Sequence, residues 1–206
     1  LHLCDRRQRQ MCIRDRLSRD ASKEEILERI NNNTITDILN KIEVKAGDVV
    51  MVKAGTIHAI GAGVFICEIQ QNSNCTYRMY DYDRRDKFGN PRELHVKKAL
   101  DVVDNHKYIK DNKTEVVIAR NEHFTEERLV QCKYFEVYKY DVNDEAKITV
   151  DEASFVSVLF INGSGTIETD DYEKTMEFKA GDSFFVSAGL RSIIIKGQAT
   201  MVVTRV

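Results

Sequence analysis

The stretch KAGDVVMVKAGTIHAIGAGVFICEIQQNSNCTYR, residues 45–78, decides the fold and carries the candidate chemistry. A Gly-Asp turn opens it, an apolar run follows, and a second glycine turn precedes His58 at the end of a predicted strand. Glu68, Gln70 and Asn72 alternate with Ile69, Gln71 and Ser73, so the first three can face one side of a strand. Arg78 follows Glu68 at an interval of ten residues. An imidazole, a carboxylate, an amide and a guanidinium that converge on a β cavity predict a metal-assisted polar site.

The remaining pattern predicts a few helices and many short strands. A capping box at Ser22–Glu25 predicts a first helix, Thr34 and Asp37 predict a second, and apolar spacing predicts a third over 95–103, with His95 as its cap. Strands are predicted over these segments: 49–52, 64–69, 116–119, 129–140, 155–161, 165–168, 183–187, 192–195 and 199–203. Regular short strands with turn signals favour a sandwich or barrel.

An internal repeat indicates two related β units. The segment KAGDVVMVKAGTIHAI at 45–60 aligns with KAGDSFFVSAGLRSII at 179–194, at a constant offset of 134 residues. Both copies contain a KAGD turn, an apolar strand and a second Ala-Gly turn. His58 of the first copy corresponds to Ser192 of the second, so only the first unit is predicted to hold a metal.

The N-terminal segment RRQRQMCIRDR, residues 6–16, differs in character from the rest of the chain. It resembles an in-frame translation of a common transposase sequencing adapter, and a basic arm that binds nucleic acid is the alternative interpretation. We therefore expect residues 1–18 to be a non-native arm outside the fold. On this hypothesis the open reading frame is cut at a read end and the protein continues upstream. The expected domains are 19–110 and 111–206.

Composition places the chain among ordinary globular proteins. Its 206 residues are 42% hydrophobic and 31% charged, and the formal net charge is −2. No basic field or long apolar run points to nucleic acid or to a membrane as a partner. Outside the arm the cysteines are Cys67, Cys75 and Cys132, an odd number without close pairing. Reduced thiols and a cytoplasmic location are the expectation.

Three segments carry a resemblance to a known family. They are AGTIHAIGAG (54–63), EIQQNSNCTYRMYDYDR (68–84) and PRELHVKKALDVVD (91–104), and together they resemble the type I mannose-6-phosphate isomerases of the cupin superfamily, in the short form of many Gram-positive bacteria. The resemblance implies a mainly β cupin jelly roll: the C-terminal half of a first barrel with helical insertions, then a second, degenerate barrel. Lys53 departs from the family, which usually has proline there.

The resemblance also implies a zinc-dependent isomerase acting on a small sugar phosphate, mannose 6-phosphate or fructose 6-phosphate. His58 would be a zinc ligand, Arg78 would stabilise the anionic enediolate, Glu68 would transfer a proton or orient the sugar, and Asn72 would contact the substrate. The family's other ligands, a Gln-x-His pair and a glutamate, have no counterpart upstream of His58 in this sequence. The phosphate-binding residues cannot be assigned from the sequence.

Each assignment has a structural alternative. His58 could bond only to its own turn, Glu68 could face solvent, Asn72 could belong to a turn, and Arg78 could pair with Asp81 or Asp83. For the whole protein, the alternatives are a non-catalytic cupin that binds a sugar or sugar phosphate, and an inert fragment. The upstream gene sequence would separate them, since only the isomerase requires the three additional ligands.

Overall fold

The computed structural model describes residues 12–73, 75–82, 84–109, 116–169 and 175–206. The chain forms two compact units, Leu1–Asp111 and Asn112–Val206. The predicted mainly β class is confirmed, with antiparallel strands in both units. No helix in the described ranges has the length and apolar character needed to cross a membrane.

The first unit combines a small sheet with short helices. Its elements are β1 (Cys12–Leu17), α1 (Lys23–Asn31), a 3₁₀ helix (Ile35–Ile38), β2 (Leu39–Glu43), β3 (His58–Ile60) and α2 (Val96–Val102). The sheet order is β2-β1-β3, and both pairs are antiparallel. The aliphatic core of this unit combines residues of α1 and of the 3₁₀ helix with residues at the end of β1 and the start of β2. It consists of Leu17, Ala21, Ile26, Ile30, Ile35, Ile38 and Leu39.

The start of α1 confirms half of the predicted capping box. Ser22 Oγ accepts a hydrogen bond from the backbone N–H of Glu25 at 3.1 Å, which satisfies one of the unpaired donors at the helix start. The Glu25 carboxylate does not return to the cap, because it binds the guanidinium groups of Arg19 and Arg29. The Arg19 hydrogen bond, followed by that of Arg29, lowers the pKa of Glu25 to about 2.

The predicted second helix is wrong. Only one 3₁₀ turn forms at Ile35–Ile38, and the chain then continues as β2. The reason is tertiary: β1 offers a pairing partner, and Asn40 Nδ2 donates to the backbone carbonyls of Asp15 and Leu17 at 3.1 Å. Residues such as Ile42 have strand as well as helix preference, and long-range pairing decides between the two.

The prediction that residues 1–18 lie outside the fold is also wrong for the part that the structure describes. Residues 12–17 form the central strand of the first sheet, with Asp15 and Leu17 buried. The charged residues of this strand obscure the alternation of polar and apolar side chains that would indicate a strand. One of them, Arg14, donates from its guanidinium to Thr36 O at 2.8 Å. Residues 1–11 lie outside the described residues. The adapter origin of the segment stays a prediction.

Two predicted strands of the first unit, 49–52 and 64–69, do not form strands in the structure. No described strand pairs with either, and the residues of 49–52 are 38–40% exposed where hydrophobic. Phe65 is 96% exposed. An apolar sequence alone does not make a strand, because the ladder requires a second strand with matching register.

The second unit is an antiparallel β structure of eight strands. Its elements are β4 (Val116–Arg120), β5 (Phe124–Gln131), β6 (Glu136–Val142), β7 (Glu145–Val150), β8 (Val156–Thr169), β9 (Thr175–Lys179), β10 (Ser183–Val186) and β11 (Arg191–Arg205). The order is β10-β8-β11-β6-β5-β4, with β7 paired to β11 and β9 to β8. Its core includes Tyr140, Ile148, Phe160, Ile195 and Met201.

Strand boundaries differ from the predictions for identifiable reasons. The predicted strand 129–140 is interrupted by a turn in which the Cys132 N–H donates to Phe135 O. Conversely, β8 is one continuous strand where two were predicted, 155–161 and 165–168. Likewise β11 is one continuous strand where 192–195 and 199–203 were predicted separately. The glycines between them permit close backbone approach instead of breaking the strands: a Cβ on Gly163 would lie 1.9 Å from Gln198 O. Strands β7 and β9 were not predicted.

Candidate functional site

His58 begins β3, and a glycine turn fixes its position. The Thr56 N–H donates to Lys53 O at 3.1 Å, and Gly55 has a φ of 82°. A Cβ on Gly55 would lie 2.6 Å from Val102 O at the end of α2, while the Asp104 N–H donates to Gly55 O at 2.9 Å. Only glycine combines this backbone conformation with this close approach. The turn therefore attaches the start of β3 to the C-terminal end of α2.

The imidazole of His58 is exposed and oriented by its own turn. Its Nδ1 lies 3.0 Å from Thr56 O. A carbonyl oxygen only accepts, so Nδ1 must carry the proton and the Nε2 lone pair is the one that can bind a cation. Histidine ligands of metals are commonly held this way, with the other ring nitrogen donating to a carbonyl or carboxylate. The structural alternative for His58, a hydrogen bond to its own turn, is thus present. This hydrogen bond is also compatible with a role as a metal ligand.

Arg78 is held at three points by the segment that leads into α2. Its backbone N–H donates to His95 Nδ1 at 3.3 Å, its carbonyl accepts from the His95 N–H at 2.6 Å, and its Nη1 donates to Glu93 O at 3.2 Å. His95 occupies the N-cap position of α2 but makes no side-chain cap, so the predicted capping role is wrong. Its imidazole fixes the backbone of Arg78 instead, a contact across 17 residues that no local pattern indicates.

The alternative in which Arg78 pairs with Asp81 is not what the structure shows. The buried Asp81 carboxylate binds Arg92, with Nε donating to Oδ2 at 2.7 Å and Nη2 donating to Oδ1. This hydrogen-bonded pair holds the pKa of Asp81 below its usual range, with a smaller contribution from Arg78. Within the described residues, the hydrogen bond from the Arg78 guanidinium is the one to Glu93 O. Asp83, the other candidate partner, lies outside the described residues.

Glu68 and Asn72 are exposed and lie outside the helices and strands, with Asn72 in a bend of the chain. No hydrogen bond or ion pair within the described residues joins any two of His58, Glu68, Asn72 and Arg78, so the predicted roles of these four stay predictions. The same ranges contain no group of three or more His, Cys, Asp or Glu side chains that could hold a metal ion. One imidazole with its carbonyl partner fits a ligand position, but the described residues do not form a complete zinc site.

The repeat is reproduced in atomic detail at its first turn. The Lys45 N–H donates to Asp48 Oδ2 at 2.9 Å, and the Lys179 N–H donates to Asp182 Oδ2 at the same distance. At the other end the copies differ, because His58 is exposed whereas Ser192 is 2% exposed. The two units therefore share a turn, and the first presents an exposed imidazole where the second has a buried serine.

Comparison with known proteins agrees with this arrangement. The profile described as "Mannose-6-phosphate isomerase, cupin domain" matches residues 125–206. The mannose-6-phosphate isomerase ManA of Bacillus subtilis is 33% identical over 194 residues, and the match covers 89% of this chain and 57% of ManA. Most of the chain is thus similar to the mannose-6-phosphate isomerases of the cupin superfamily. YvyI of the same organism is 41% identical over 190 residues, which cover 90% of this chain and 57% of YvyI.

The family's structure agrees as well. The crystal structure of the Bacillus subtilis mannose 6-phosphate isomerase matches with a TM-score of 0.85 at 37% identity, covering 95% of this chain and 60% of that one. The recognised cupin fold is thereby confirmed. The chain spans about 57% of the length of the curated Bacillus relatives it matches.

Proposed function

We propose that the protein is an aldose–ketose isomerase that interconverts mannose 6-phosphate and fructose 6-phosphate. The observation that carries the proposal is the match to the Bacillus subtilis mannose 6-phosphate isomerase over nearly the whole chain, at 37% identity and a TM-score of 0.85. It includes the segments that hold His58, Glu68 and Arg78. The reaction is an intramolecular oxidation–reduction, in which a proton moves between two adjacent carbons through an enediolate.

Arg78 is proposed to stabilise the enediolate. Its backbone is fixed by two contacts with His95, and its side chain by one with Glu93 O, so its charge is positioned before the substrate arrives. A preorganised cation at developing negative charge gives a large contribution to rate. Glu68 is proposed to transfer the proton or orient the sugar, and Asn72 to bind a sugar hydroxyl; both side chains are exposed and can reach a ligand.

His58 is proposed as one ligand of a zinc ion. Support comes from its Nδ1–H bond to Thr56 O, which leaves Nε2 as the coordinating atom. Since catalytic zinc needs about three protein ligands and the described residues supply only one, the proposal requires further ligands from outside these ranges. A cytoplasmic location and a small-molecule sugar phosphate as the substrate, with neither nucleic acid nor membrane as a partner, complete the proposal.

The test uses the protein at the length of its relatives, obtained by extending the open reading frame in its source DNA. We expect isomerase activity, a kcat about 100-fold lower for Arg78→Ala, and loss of zinc and activity together for His58→Ala. Arg78→Ala should retain zinc. The exposed Arg120 of β4 gives a matched control, and Arg120→Ala should turn over like the unmodified protein.

Two results would contradict the proposal. Sugar binding without turnover in the extended protein would indicate the non-catalytic cupin instead. Wild-type turnover by Arg78→Ala would mean that its contacts with His95 and Glu93 are structural. The 206-residue chain assayed beside it should be inactive, because its described residues hold a single imidazole ligand.

A further inference from the structure

A second site is suggested by a cavity of about 720 Å³ in the second unit. It is lined by residues of β4, β5, β6, β7 and β11 and of the turn between β5 and β6, so no part of it belongs to the unit that carries His58. Its volume lies within the usual range of small-molecule sites. The residues described above for isomerisation do not contribute to it.

The cavity contains two tyrosine–carboxylate pairs. Tyr140 Oη donates to Glu126 Oε1 at 2.6 Å, and Tyr138 Oη donates to Glu136 Oε2 at 2.5 Å. Burial, followed by the neighbouring carboxylate, raises the pKa of each tyrosine, so both hydroxyls stay protonated at neutral pH. Glu136 Oε1 also accepts from Gln131 Nε2 at 2.5 Å, and Arg205 hydrogen-bonds to Tyr140. A hydroxyl oxygen and a carboxylate oxygen each have two lone pairs, so Tyr138 Oη and the carboxylate oxygens can accept a further donor. These groups are arranged to receive hydroxyl donors.

Strand register explains why these groups converge. Tyr140 lies opposite Glu126 in the β5–β6 pair, and Tyr138 lies opposite Val203 in the β6–β11 pair. Residues directly opposite each other share a face of the sheet, and alternate residues of β6 share that face too. Arg205, opposite Glu136, belongs to the same face, and its Nη1 donates to Thr149 O of β7 at 3.0 Å.

The charged side chains that line the cavity are three cationic and three anionic, and the terminal carboxylate of Val206 lies among the lining residues as well. The cationic side chains are Lys133, Lys147 and Arg205, and the anionic ones are Glu126, Glu136 and Asp151. A phosphate site needs a surplus of donors and positive charge, which these side chains do not provide. The half-exposed ring of Tyr134 and the partly buried ring of Tyr138 add apolar faces beside the polar groups.

We propose that this cavity binds an uncharged polyhydroxy compound, a free sugar or a polyol, and discriminates against sugar phosphates. Hydroxyl groups of the ligand would donate to the Glu126 and Glu136 carboxylates and to the tyrosine oxygens, while its C–H face would lie against the Tyr134 or Tyr138 ring. Without a surplus of positive charge, the acceptor-rich walls select this class over an anion.

The experiment is an NMR titration of the 206-residue chain labelled with ¹³C in its tyrosine rings. D-mannose and D-sorbitol are the uncharged probes, and mannose 6-phosphate is the charged one. We expect saturable shifts of the Tyr138 and Tyr140 signals with an uncharged probe, and a weaker response to mannose 6-phosphate. Glu126→Gln and Tyr138→Phe should each weaken binding about tenfold, as the loss of one buried hydrogen bond predicts. Tyr108→Phe, in the other unit, should change nothing.

The proposal fails if neither uncharged probe moves these signals, or if mannose 6-phosphate binds at them more tightly than D-mannose. It also fails if Glu126→Gln and Tyr138→Phe both bind like the unmodified chain. Methyl signals of the core residues Val158 and Ile195 report whether a variant has kept its fold, and Glu126→Gln, monitored at Tyr138, provides the result if Tyr138→Phe does not fold.

Discussion

Asp15 is fully buried in β1, and its Oδ1 atom has no hydrogen-bond partner among the described residues. Its other oxygen, Oδ2, accepts from Arg16 Nε at 2.9 Å. A buried carboxylate with an unsatisfied oxygen costs free energy of folding, because it has lost water without a full replacement. The centre of the first sheet is thus less stable than a neutral side chain would make it.

Asp15→Asn should therefore stabilise the first unit. The amide is nearly isosteric and removes the buried charge, so we expect the free energy of unfolding to rise by about 1–2 kcal/mol. Urea unfolding followed by amide signals of the first sheet measures the change. Asp101→Asn, at an exposed position of α2, is the matched control and should have little effect. Equal or lower stability of Asp15→Asn would show that the Arg16 contact outweighs the buried charge.

His123 makes the stability of the second unit depend on pH. Its Nδ1 lies 2.9 Å from Asp144, and this hydrogen bond raises the pKa of His123 above its ordinary value of 6.5. A raised folded-state pKa means that the stabilisation is fully present below the unfolded pKa and is lost as the pH rises through the folded one. The same contact lowers the pKa of Asp144, so the carboxylate stays ionised well into the acid range.

Accordingly, His123→Gln should lower the melting temperature most between about pH 5 and 6.5 and least at alkaline pH. Thermal unfolding across this range measures the difference between variant and unmodified chain. Asp144→Asn should show the same pH dependence, and the double variant should add nothing further. A pH-independent difference would mean that the two groups interact without a charge on the imidazole.

At the scale of elements, β8 and β11 depend on glycines where their backbones approach. Gly163 has a φ of 89°, and a Cβ there would lie 1.9 Å from Gln198 O. Gly181, in the turn before β10, has a similar φ of 93° but no atom within 4 Å of a Cβ. The two positions therefore separate backbone strain from steric overlap.

Gly181→Ala should cost about 1–2 kcal/mol, the expected penalty for a left-handed conformation alone. Gly163→Ala should cost more than about 3 kcal/mol, because the strands must also move apart. Urea unfolding monitored by circular dichroism gives both values. Similar losses for the two variants would show that β8 and β11 can shift without cost at this point.

At the scale of the whole molecule, the repeated segment adopts two states. Residues 183–186 form β10 and pair with β8, whereas the corresponding 49–52 form no strand and have no ladder partner among the described residues. Hydrogen exchange should therefore be at least about 100-fold slower for the paired amides of β10 than for those of 49–52. Equal protection in a monomer, verified by its sedimentation, would mean that 49–52 is paired after all.

How far the sequence predicts this structure depends on the range of the contacts involved. The KAGD turn of both copies, the Ser22 cap and α2 depend on neighbours within a few residues, and each was predicted. Residues 35–43 and 12–17 adopt their structure through strand pairing between distant segments. The predicted helix in the first segment and the predicted exclusion of the second from the fold were both wrong. In the sequence, the glycines of β8 and β11 predict breaks in the strands. Their actual role is to allow close approach of the backbone of the opposite strand, which the local sequence does not reveal.

The candidate site shows the same division. His58 and its turn follow from a local motif, and the His58–Thr56 contact is local too. The contacts of Arg78 with His95 and of Asp81 with Arg92 span a loop, and no spacing rule indicates them. Since a metal site requires several ligands that the fold brings together, the sequence can indicate one candidate histidine but not a complete site.

Strand β11 pairs with three others, β7 and β8 along its first part and β6 and β8 along its second. Inserting or deleting one residue near Gln198 would rotate everything beyond it to the opposite face of the sheet. Either Ile195 or Met201, both completely buried, would then point to solvent, whichever end kept its pairing. The length of this strand should therefore tolerate no insertion or deletion during divergence, while the turns around it can still vary in length.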